Sequence, residues 1–561
     1  MLDVVATHPI LALFLGAPAL VYTALYLYKK TMTLRAISPA PFMVRLVSSF
    51  VTTRKLSEAE FYAADGAPPA VQAQRREALD RLSQSFDSKV GPRAAECNEH
   101  LKGLSDIRFQ DTNRVPPPFQ PVVRERLRLG FIVERSEGPY LIDVDGNRSL
   151  DVSGSYGVNV VGYDFYKRTL QQGLASVQEL GPNVLGPLHP IIFPVLARLR
   201  EVSGLDECSF HMSGTEAIMC AVRLCRFNTR RRLIVQFAGK YHGWWDGVQP
   251  GPGNERMVHD TLTLKDVSPA SLALLRARAG EIAAVLVDPG LPPSSDAVLL
   301  DAKTRTAVEG RREAYRVWLT SLRQVCTACE VPLVFDEVYT GFRLAPRGAI
   351  EFYGVQPDMV VYGKTLGGGV ACGVVCGKKS LMARFDPEHP LRVSYVIGTF
   401  AASPLTLGPM RAFLDWVTSA EAATKYQAAA SVTTEWVVET NRQLAEQGFP
   451  VRVDHLATIW TCVFTKPGRF HWLFQYYLRD EGLALSWVGT GRCLFSLDFA
   501  TPEYAKVQVA LINAAQRMAD DGWWWDASPK RIQWLIVKEM AGATLTPSFL
   551  RSSAASVAKA K

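Results

Sequence analysis

Two stretches of the sequence, VPLVFDEVYTGF (331–342) and VVYGKTLGGG (360–369), predict both the fold and the chemistry of this chain. Each contains an apolar run of strand length that ends near a charged residue, Asp336 in the first and Lys364 in the second. We interpret the runs as parallel strands that deliver a carboxylate and an amine to one edge of a sheet. This pair can hold pyridoxal phosphate, with the lysine as a Schiff base and the carboxylate at the pyridine nitrogen. For these two stretches alone, a solvated surface pair is the alternative.

Two further segments favour a cofactor site. SFHMSGTEAIMCAVRLCR places Ser213, Gly214 and Thr215 immediately before a helical apolar stripe. Backbone N–H groups at a helix N-terminus bind a phosphate, and the helix dipole favours the dianion. An ordinary N-cap is the alternative for these residues. IVQFAGKYHGWWDG ends a strand-like run at Tyr241 and His242, where an aromatic ring either stacks on a flat cofactor or packs in the core.

A third segment, VIGTFAASPLTLGPM, places Gly398 and Thr399 ahead of a predicted helix as a second phosphate-binding element. In this order the segments resemble the class III aminotransferases, in the branch typified by glutamate-1-semialdehyde aminomutase. The resemblance extends from about Gly130, ahead of the segment YLIDVDGNRSLDVSGSYG, to about Ala515. It implies an α/β fold of type I, with a large domain on a mostly parallel sheet and a smaller α+β domain.

The resemblance implies a role for each matching residue. Lys364 is the Schiff-base lysine and general acid/base, Asp336 is the partner of the pyridine nitrogen, and Val338 packs beneath the ring. Tyr241 stacks on the ring. Thr399 reaches the phosphate of the neighbouring subunit, which implies a homodimer whose active sites are shared across the interface. The predicted cofactor contacts are Ser213, Gly214, Thr215, Tyr241, His242, Asp336, Val338, Lys364 and Thr399.

Departures from the family pattern concern the substrate. Met212 stands where the family has Asn, and Asp288 stands where it has Glu. The aminomutase holds its substrate carboxylate with a Ser and an Arg in an early segment, and nothing here matches that segment. Arg126 or Arg128 either replaces this arginine or lies on the surface.

Three other residues are predicted to face the substrate pocket or its surroundings. Tyr156 and Asn159, in SGSYGVNVVG, stand where the family has an aromatic wall, so we predict that they line the substrate pocket. Arg492, in SWVGTGRCLF, lies in the small domain. It either meets the carboxylate of an amino donor or forms an ordinary salt bridge.

The composition is that of a large folded enzyme. The chain has 561 residues, a length that is enough for about three domains. Of these residues 48% are hydrophobic and 21% are charged, which is typical of folded proteins. Cys326 and Cys329 form a CxxC without a second pair or a histidine cluster, so we expect a buried helix face and no metal site. Thiols without a disulfide pattern suit the cytosol.

The N-terminus predicts a membrane anchor. Residues 9–28 carry no charge and would span about 30 Å as a helix, which is enough to cross a bilayer. A cleaved signal peptide is the competing alternative, but it requires basic residues before the apolar run. The only charged residue there is Asp3, so the sequence favours an uncleaved anchor. A buried core helix is the other alternative. Basic residues after the run place the catalytic domain on the cytoplasmic side, so we predict a single-pass membrane protein in contact with membrane lipid.

Basic residues are concentrated near both ends of the chain, which favours an anionic membrane surface over nucleic acid. The tryptophans of GWWWDASPKRIQWLIVKEM either contact lipid or close the small domain or the dimer interface. The predicted organisation comprises a transmembrane anchor (1–30), a basic juxtamembrane and connecting segment (31–125), a large cofactor-binding domain with its N-terminal segment (126–400), a small domain (401–528) and a basic tail (529–561).

The predicted function is a pyridoxal-phosphate-dependent aminotransferase. It would move an amino group from an amino donor to a hydrophobic aldehyde or ketone, either free or lipid-linked. An intramolecular 1,2-aminomutase is the alternative of the same class, and a racemase on this fold is a further one. The alternative of another class is a non-catalytic membrane scaffold.

Overall fold

The computed structural model of the chain describes residues 9–39, 41–43, 45–46, 54–180, 188–251, 253–290, 308–525 and 528–545. Only the backbone is described for residues 9–20, 308–311 and 543–545. The start of the predicted anchor (1–8) and the end of the predicted basic tail (546–561) lie outside the described residues.

The helices are described in chain order. They are α1 (Pro9–Ala36), α2 (Glu58–Tyr62), α3 (Pro69–Ser88), α4 (Pro92–Leu101), α5 (Ser105–Asn113), α6 (Gln120–Arg126), α7 (Tyr163–Ala175), α8 (Ile192–Ser203), α9 (Gly214–Thr229), α10 (Pro269–Arg278), α11 (Val308–Ala328), α12 (Gly348–Tyr353), α13 (Lys379–Met382), α14 (Pro404–Val417), α15 (Ala420–Glu446), α16 (Phe474–Asp480), α17 (Thr501–Asp520) and α18 (Pro529–Leu545).

The strands form three sheets. They are β1 (Val133–Glu137), β2 (Tyr140–Asp143), β3 (Arg148–Asp151), β4 (Glu207–His211), β5 (Leu233–Phe237), β6 (Thr261–Leu264), β7 (Ile282–Val287), β8 (Leu333–Asp336), β9 (Met359–Gly363), β10 (Gly373–Gly377), β11 (Val451–Leu456), β12 (Ile459–Phe464), β13 (Leu483–Ala484) and β14 (Cys493–Leu494). The strand orders are β1-β2-β3-β13, β4-β10-β9-β8-β7-β5-β6 and β11-β12-β14.

The seven-stranded sheet forms the centre of the large domain. All its strands run in one direction except β10, which is antiparallel to both of its neighbours. Strands β7, β8 and β9 are buried along their whole length, as expected for a parallel sheet that is covered on both faces. The predicted parallel pairing of the two opening stretches is confirmed, with Asp336 beside Val361 in the register of β8 and β9.

The small C-terminal domain and the connecting helices share one hydrophobic core. Phe61 and Leu79 of the connecting helices belong to the same buried cluster as Trp460 and Phe470 of the small domain. Trp523 is 2% exposed in this cluster, and its indole N–H donates to the Tyr477 hydroxyl at 2.7 Å. This tryptophan therefore closes the small domain, whereas Trp534 on α18 is 57% exposed.

The predicted single-pass membrane anchor is wrong. Within the part of the chain that the structure describes, no helix is long and apolar enough to cross a membrane. The C-terminal half of α1 packs on the large domain instead. Lys29 Nζ lies 2.8 Å from a carboxylate oxygen of Glu281, Ala36 is fully buried, and Ile37 bridges to Leu264 at the edge of the central sheet. The predicted location of the catalytic domain on the cytoplasmic side of a membrane depends on that anchor and is therefore wrong as well.

Candidate active site

Strands of the central sheet bring the predicted residues to one edge. Asp336 is the last residue of β8, and Lys364 directly follows β9. Ser213 follows β4, and His242 comes after the turn that ends β5. Because these strands are parallel, their carboxyl ends lie on the same side of the sheet, where ligands of open α/β sheets bind.

Asp336 is held by two hydrogen bonds. The imidazole Nδ1 of His242 lies 2.7 Å from its Oδ2, and the backbone N–H of Val338 donates to its Oδ1 at 3.1 Å. Both side chains are almost fully buried. A carboxylate offers about four lone-pair directions, so Asp336 can accept one further N–H in a fixed orientation. The Nε2 atom of His242 is enclosed without a partner among the described residues.

Lys364 lies in a strained and desolvated position. Its backbone has φ of 50°, in the left-handed region that most residues with a side chain avoid. Burial lowers the pKa of Lys364 to about 8, and the nearby Arg492 guanidinium lowers it in the same direction. The lysine Nζ lies 5.1 Å from the centre of the Tyr339 ring. An amine with this pKa is partly neutral near pH 7 and can act as a nucleophile and proton carrier.

Gly157 permits the close approach of another loop to Lys364. A Cβ atom at Gly157 would lie 2.8 Å from the Tyr339 ring and 3.5 Å from Cδ of Lys364. Its φ of 93° also favours glycine. The loop that carries Tyr156 is therefore held against the base of the lysine.

The predicted phosphate-binding residues, which we call the phosphate cradle (213–215), lie at the N-terminus of α9. The Ser213 hydroxyl caps the helix by accepting from the backbone N–H of Glu216 at 3.2 Å. A Cβ at Gly214 would lie 2.6 Å from Cγ1 of Val338, and a Cβ at Gly243 would lie 2.6 Å from Oγ1 of Thr215. The segment 213–215 thus contacts both the segment after β5 and the segment after β8. Glycine at these two positions allows the close contact.

Tyr241 and Thr399 border this cradle. Tyr241 is 63% exposed, so one face of its ring is open for a flat ligand. Burial, and then the Asp336 carboxylate, raises the pKa of its phenol. A Cβ at Gly398 would lie 3.0 Å from Oε1 of Glu216, in the first turn of α9, so the Thr399 loop lies beside the same helix end. Its contact with the phosphate of a neighbouring subunit stays a prediction.

The two predicted substrate residues are placed differently. Tyr156 lines a large cavity, and its hydroxyl accepts from the backbone N–H of Trp487 at 3.2 Å. Asn159 is buried, and its side-chain oxygen accepts from the backbone N–H of Gly162 at 2.9 Å. Tyr156 therefore faces a cavity, whereas the side chain of Asn159 is engaged within its own loop; the substrate role of Tyr156 stays a prediction.

The arginines proposed as carboxylate grips are not brought to the lysine. Arg126 pairs with Asp80 of α3, and Arg128 is exposed. Arg492 instead stacks on Tyr339, with 4.4 Å between its guanidinium carbon and the ring centre. Tyr339 is therefore a site residue that sequence reasoning missed, although it stands three residues after Asp336.

Two buried charged groups beside the site were also missed. Glu337 accepts from the backbone N–H of Ala349 at 2.7 Å, and burial raises its pKa to about 8. Arg343 donates to the carbonyl of Asn159 at 2.9 Å, and burial lowers its pKa. Glu337 lies in the opening stretch and Arg343 directly follows it, but the sequence did not show that these two side chains are buried.

Comparison with known proteins places the chain in a family. The sequence model of the family described as Aminotransferase class-III matches residues 122–262 and 307–501. These ranges include every predicted cofactor residue and more than half of the chain. The chain belongs to the class III aminotransferase family.

Known relatives and solved structures are similar to this chain. Glutamate-1-semialdehyde 2,1-aminomutase from Hydrogenobaculum sp. (strain Y04AAS1) is 28% identical over 353 residues, which cover 60% of this chain and 77% of that protein. The β-phenylalanine aminotransferase from Variovorax paradoxus aligns with a TM-score of 0.63 and 24% identity, covering 79% of this chain and 98% of that one. A glutamate-1-semialdehyde-aminomutase from Pseudomonas aeruginosa PAO1 in complex with PMP aligns with a TM-score of 0.64 and 20% identity, covering 79% and 98%.

The cofactor of this member of the class III aminotransferase family is pyridoxal phosphate. The residues at the sheet edge fit it chemically. They offer a carboxylate for the ring nitrogen, a desolvated amine for the aldehyde, a helix N-terminus for the phosphate and an open aromatic face. The predicted fold of type I and the predicted cofactor are confirmed.

Proposed function

We propose that this protein is an aminotransferase that moves an amino group from a carboxylate-bearing donor to a hydrophobic aldehyde or ketone. One observation carries the proposal: Arg492 and Lys364 meet at the same aromatic ring, Tyr339, at 4.4 and 5.1 Å from its centre. Among the described residues Arg492 has no carboxylate partner within 4.0 Å. A cation so placed can hold the carboxylate of an amino donor beside the reactive amine.

Each residue of the site would have a distinct task. Pyridoxal phosphate, when bound, supplies an electron sink for negative charge on the substrate carbon. Asp336 holds the ring nitrogen, and His242 keeps the carboxylate in one orientation. Lys364 takes a proton from the substrate carbon and returns it, and its lowered pKa suits both directions near neutral pH. The N–H groups at the start of α9 hold the phosphate.

The test is a two-stage spectroscopic titration. Holoenzyme should show visible absorbance that decreases when a donor such as glutamate or alanine is added, and recovers when an aliphatic aldehyde follows. Arg492→Met should weaken the effect of carboxylate donors by about tenfold or more, because a charged hydrogen-bond partner is lost. Arg442→Met, on the exposed face of α15 with Glu439 and Glu446 as partners, is the matched control. No response to any donor would refute the proposal.

An intramolecular aminomutase is the second proposal, because a relative carries that name. An aminomutase needs no external donor, whereas an aminotransferase does. A substrate labelled with heavy nitrogen distinguishes the two in the presence of excess unlabelled glutamate. Retention of the label in the product supports the aminomutase, and its dilution supports the aminotransferase.

A further inference from the structure

The large cavity that Tyr156 lines extends between the connecting helices and the small domain. It has a volume of about 930 Å³, near the upper end for small-molecule sites. Tyr156 lines it, and the next residue, Gly157, contacts Lys364 and Tyr339. Tyr156 and Gly157 therefore connect the cavity to the surroundings of Lys364.

Part of the cavity is built by a segment of the chain that precedes the family match. Leu101 of α4, Ile107 of α5 and Arg114 form one wall, and all three lie before residue 122, where the family match begins. The opposite wall comes from the small domain, at Leu485 and Trp487. The connecting helices thus add one wall to a cavity whose remaining lining lies in the matched family region.

The lining combines apolar surface with positive charge. Apolar side chains contribute the larger share of the surface. The lining has two acidic side chains, Asp111 and Asp143, and six basic ones, Lys89, Lys102, Arg108, Arg114, Arg124 and Arg479. Lys89 and Lys102 pair with Asp480 and Glu99, which lie outside the lining, and the four arginines remain. Both oxygens of Asp143 are already engaged by Asn147 and by backbone N–H groups. The cavity therefore has an excess of cationic donors.

Two arginines concentrate this charge. Arg479 donates to the carbonyls of Leu485 and Ser486 at 3.0 and 2.7 Å, and its Nε is enclosed without a partner among the described residues. Burial, and then the nearby Arg114 cation, lowers the pKa of Arg479 to about 9. Arg114 pairs at 3.1 Å with Asp111, which is itself mostly exposed. Nearby carboxylates neutralise little of the positive charge of Arg114 and Arg479. Two neighbouring cations of this kind favour the binding of an anion between them.

We propose that this cavity holds the distal part of the substrate, an elongated apolar chain that ends in an anionic group. The inference rests on the proposed function, because the reacting carbonyl or amine must reach Lys364 while the chain extends past Tyr156. The apolar lining buries the chain, and Arg114 with Arg479 binds the anionic end.

Direct binding tests the cavity without turnover. Octanoate, octyl phosphate and octanol are titrated calorimetrically into holoenzyme. We expect octanoate or octyl phosphate to bind at least about tenfold more tightly than octanol, because only the anions pair with arginine. The tighter of the two anions identifies the end group. Equal binding of all three would overturn the proposal.

Two pairs of variants locate the binding. Arg114→Gln should weaken anion binding by about tenfold, while Arg93→Gln, at an exposed pair with Glu134, should not. Ile107→Trp fills the cavity and should weaken every probe, while Leu104→Trp, at an exposed position outside the lining, should not. Unchanged binding in both Arg114→Gln and Ile107→Trp would overturn the proposal.

Turnover separates this inference from the proposed function. In the aminotransferase assay, kcat/KM for 8-oxooctanoate should exceed that for propanal by about tenfold or more, and Ile107→Trp should remove the difference. Turnover of both aldehydes with an equal ratio in Ile107→Trp and wild type refutes the cavity and leaves the aminotransferase proposal standing. Binding as predicted, with no response to any amino donor, supports the cavity and refutes the aminotransferase.

Discussion

The imidazole Nδ1 of His242 lies 2.7 Å from Oδ2 of Asp336, although 94 residues separate the two in the chain. The contact joins the end of β5 to the end of β8, across β7. It orients the carboxylate that we assign to the cofactor ring nitrogen. His242 therefore acts on the site through Asp336.

Replacement of His242 by Phe should lower kcat/KM by roughly tenfold to a hundredfold, because a hydrogen bond to a charged group is lost. His242→Asn, which keeps a side-chain N–H donor, should recover part of this activity. Steady-state kinetics and the affinity for pyridoxal phosphate measure both effects. Wild-type activity in His242→Phe would contradict the orienting role.

The pKa of Lys364 predicts a pH dependence for cofactor uptake. Only the neutral amine attacks an aldehyde, and a lysine whose pKa is lowered to about 8 becomes neutral as the pH rises through that value. The rate of pyridoxal phosphate capture by apoenzyme should rise by about tenfold per pH unit below pH 8 and level off above it. Arg492→Met should move the midpoint to higher pH, because it removes a neighbouring cation. A stopped-flow pH profile with an unchanged midpoint in that variant would contradict the assignment.

Lys364→Ala should abolish turnover and the covalent attachment of the cofactor. The phosphate cradle and Asp336 remain in this variant, so pyridoxal phosphate should still bind without covalent linkage. Absorbance spectra before and after borohydride treatment, followed by mass spectrometry, measure the attachment. A reduced adduct on another lysine of the variant, with retained activity, would contradict the role of Lys364.

Glu337 predicts a pH dependence of stability. Its pKa is raised from 4.5 to about 8 in the folded protein by burial, so the unfolded chain loses this proton at lower pH than the folded chain does. The contribution of Glu337 therefore decreases as the pH rises from about 4.5 to about 8. Glu337→Gln, a neutral side chain of the same shape, should lessen the fall in the thermal denaturation midpoint between pH 5 and pH 8. An identical fall in both proteins would show that Glu337 is ionised when folded.

The contacts of Arg75 predict a large contribution to the attachment of the connecting helices to the small domain. Its guanidinium is fully buried, pairs with Asp65 at 2.6 Å and donates to the carbonyl of Gly522 at 2.8 Å. Arg75→Met leaves the buried Asp65 without its cation and should destabilise the protein by about 3–5 kcal/mol. Arg81→Met, which removes an exposed pair with Asp521, should cost less than about 1 kcal/mol. Denaturant unfolding measures both, and equal effects would contradict the docking role of Arg75.

Sequence inspection could predict candidate cofactor residues because they lie at strand ends and at a helix N-terminus, where local pattern is strong. It did not recover Tyr339 or the cavity wall at Leu101, Ile107 and Arg114. These residues acquire their roles from elements that are distant in the chain. The prediction of a membrane anchor was wrong for a related reason. An apolar run shows that a segment avoids water, but not which surface covers it, and the described end of α1 packs on the large domain.

The sequence by itself determined the family and the cofactor and predicted the residues that would hold it, because strand length, helix capping and residue type are local properties. Only the tertiary structure decided what surrounds Lys364. It placed Arg492 on the Tyr339 ring, joined His242 to Asp336 and set the connecting helices against the small domain to enclose the cavity. These relationships depend on packing between segments far apart in the chain, and no local pattern encodes such distances.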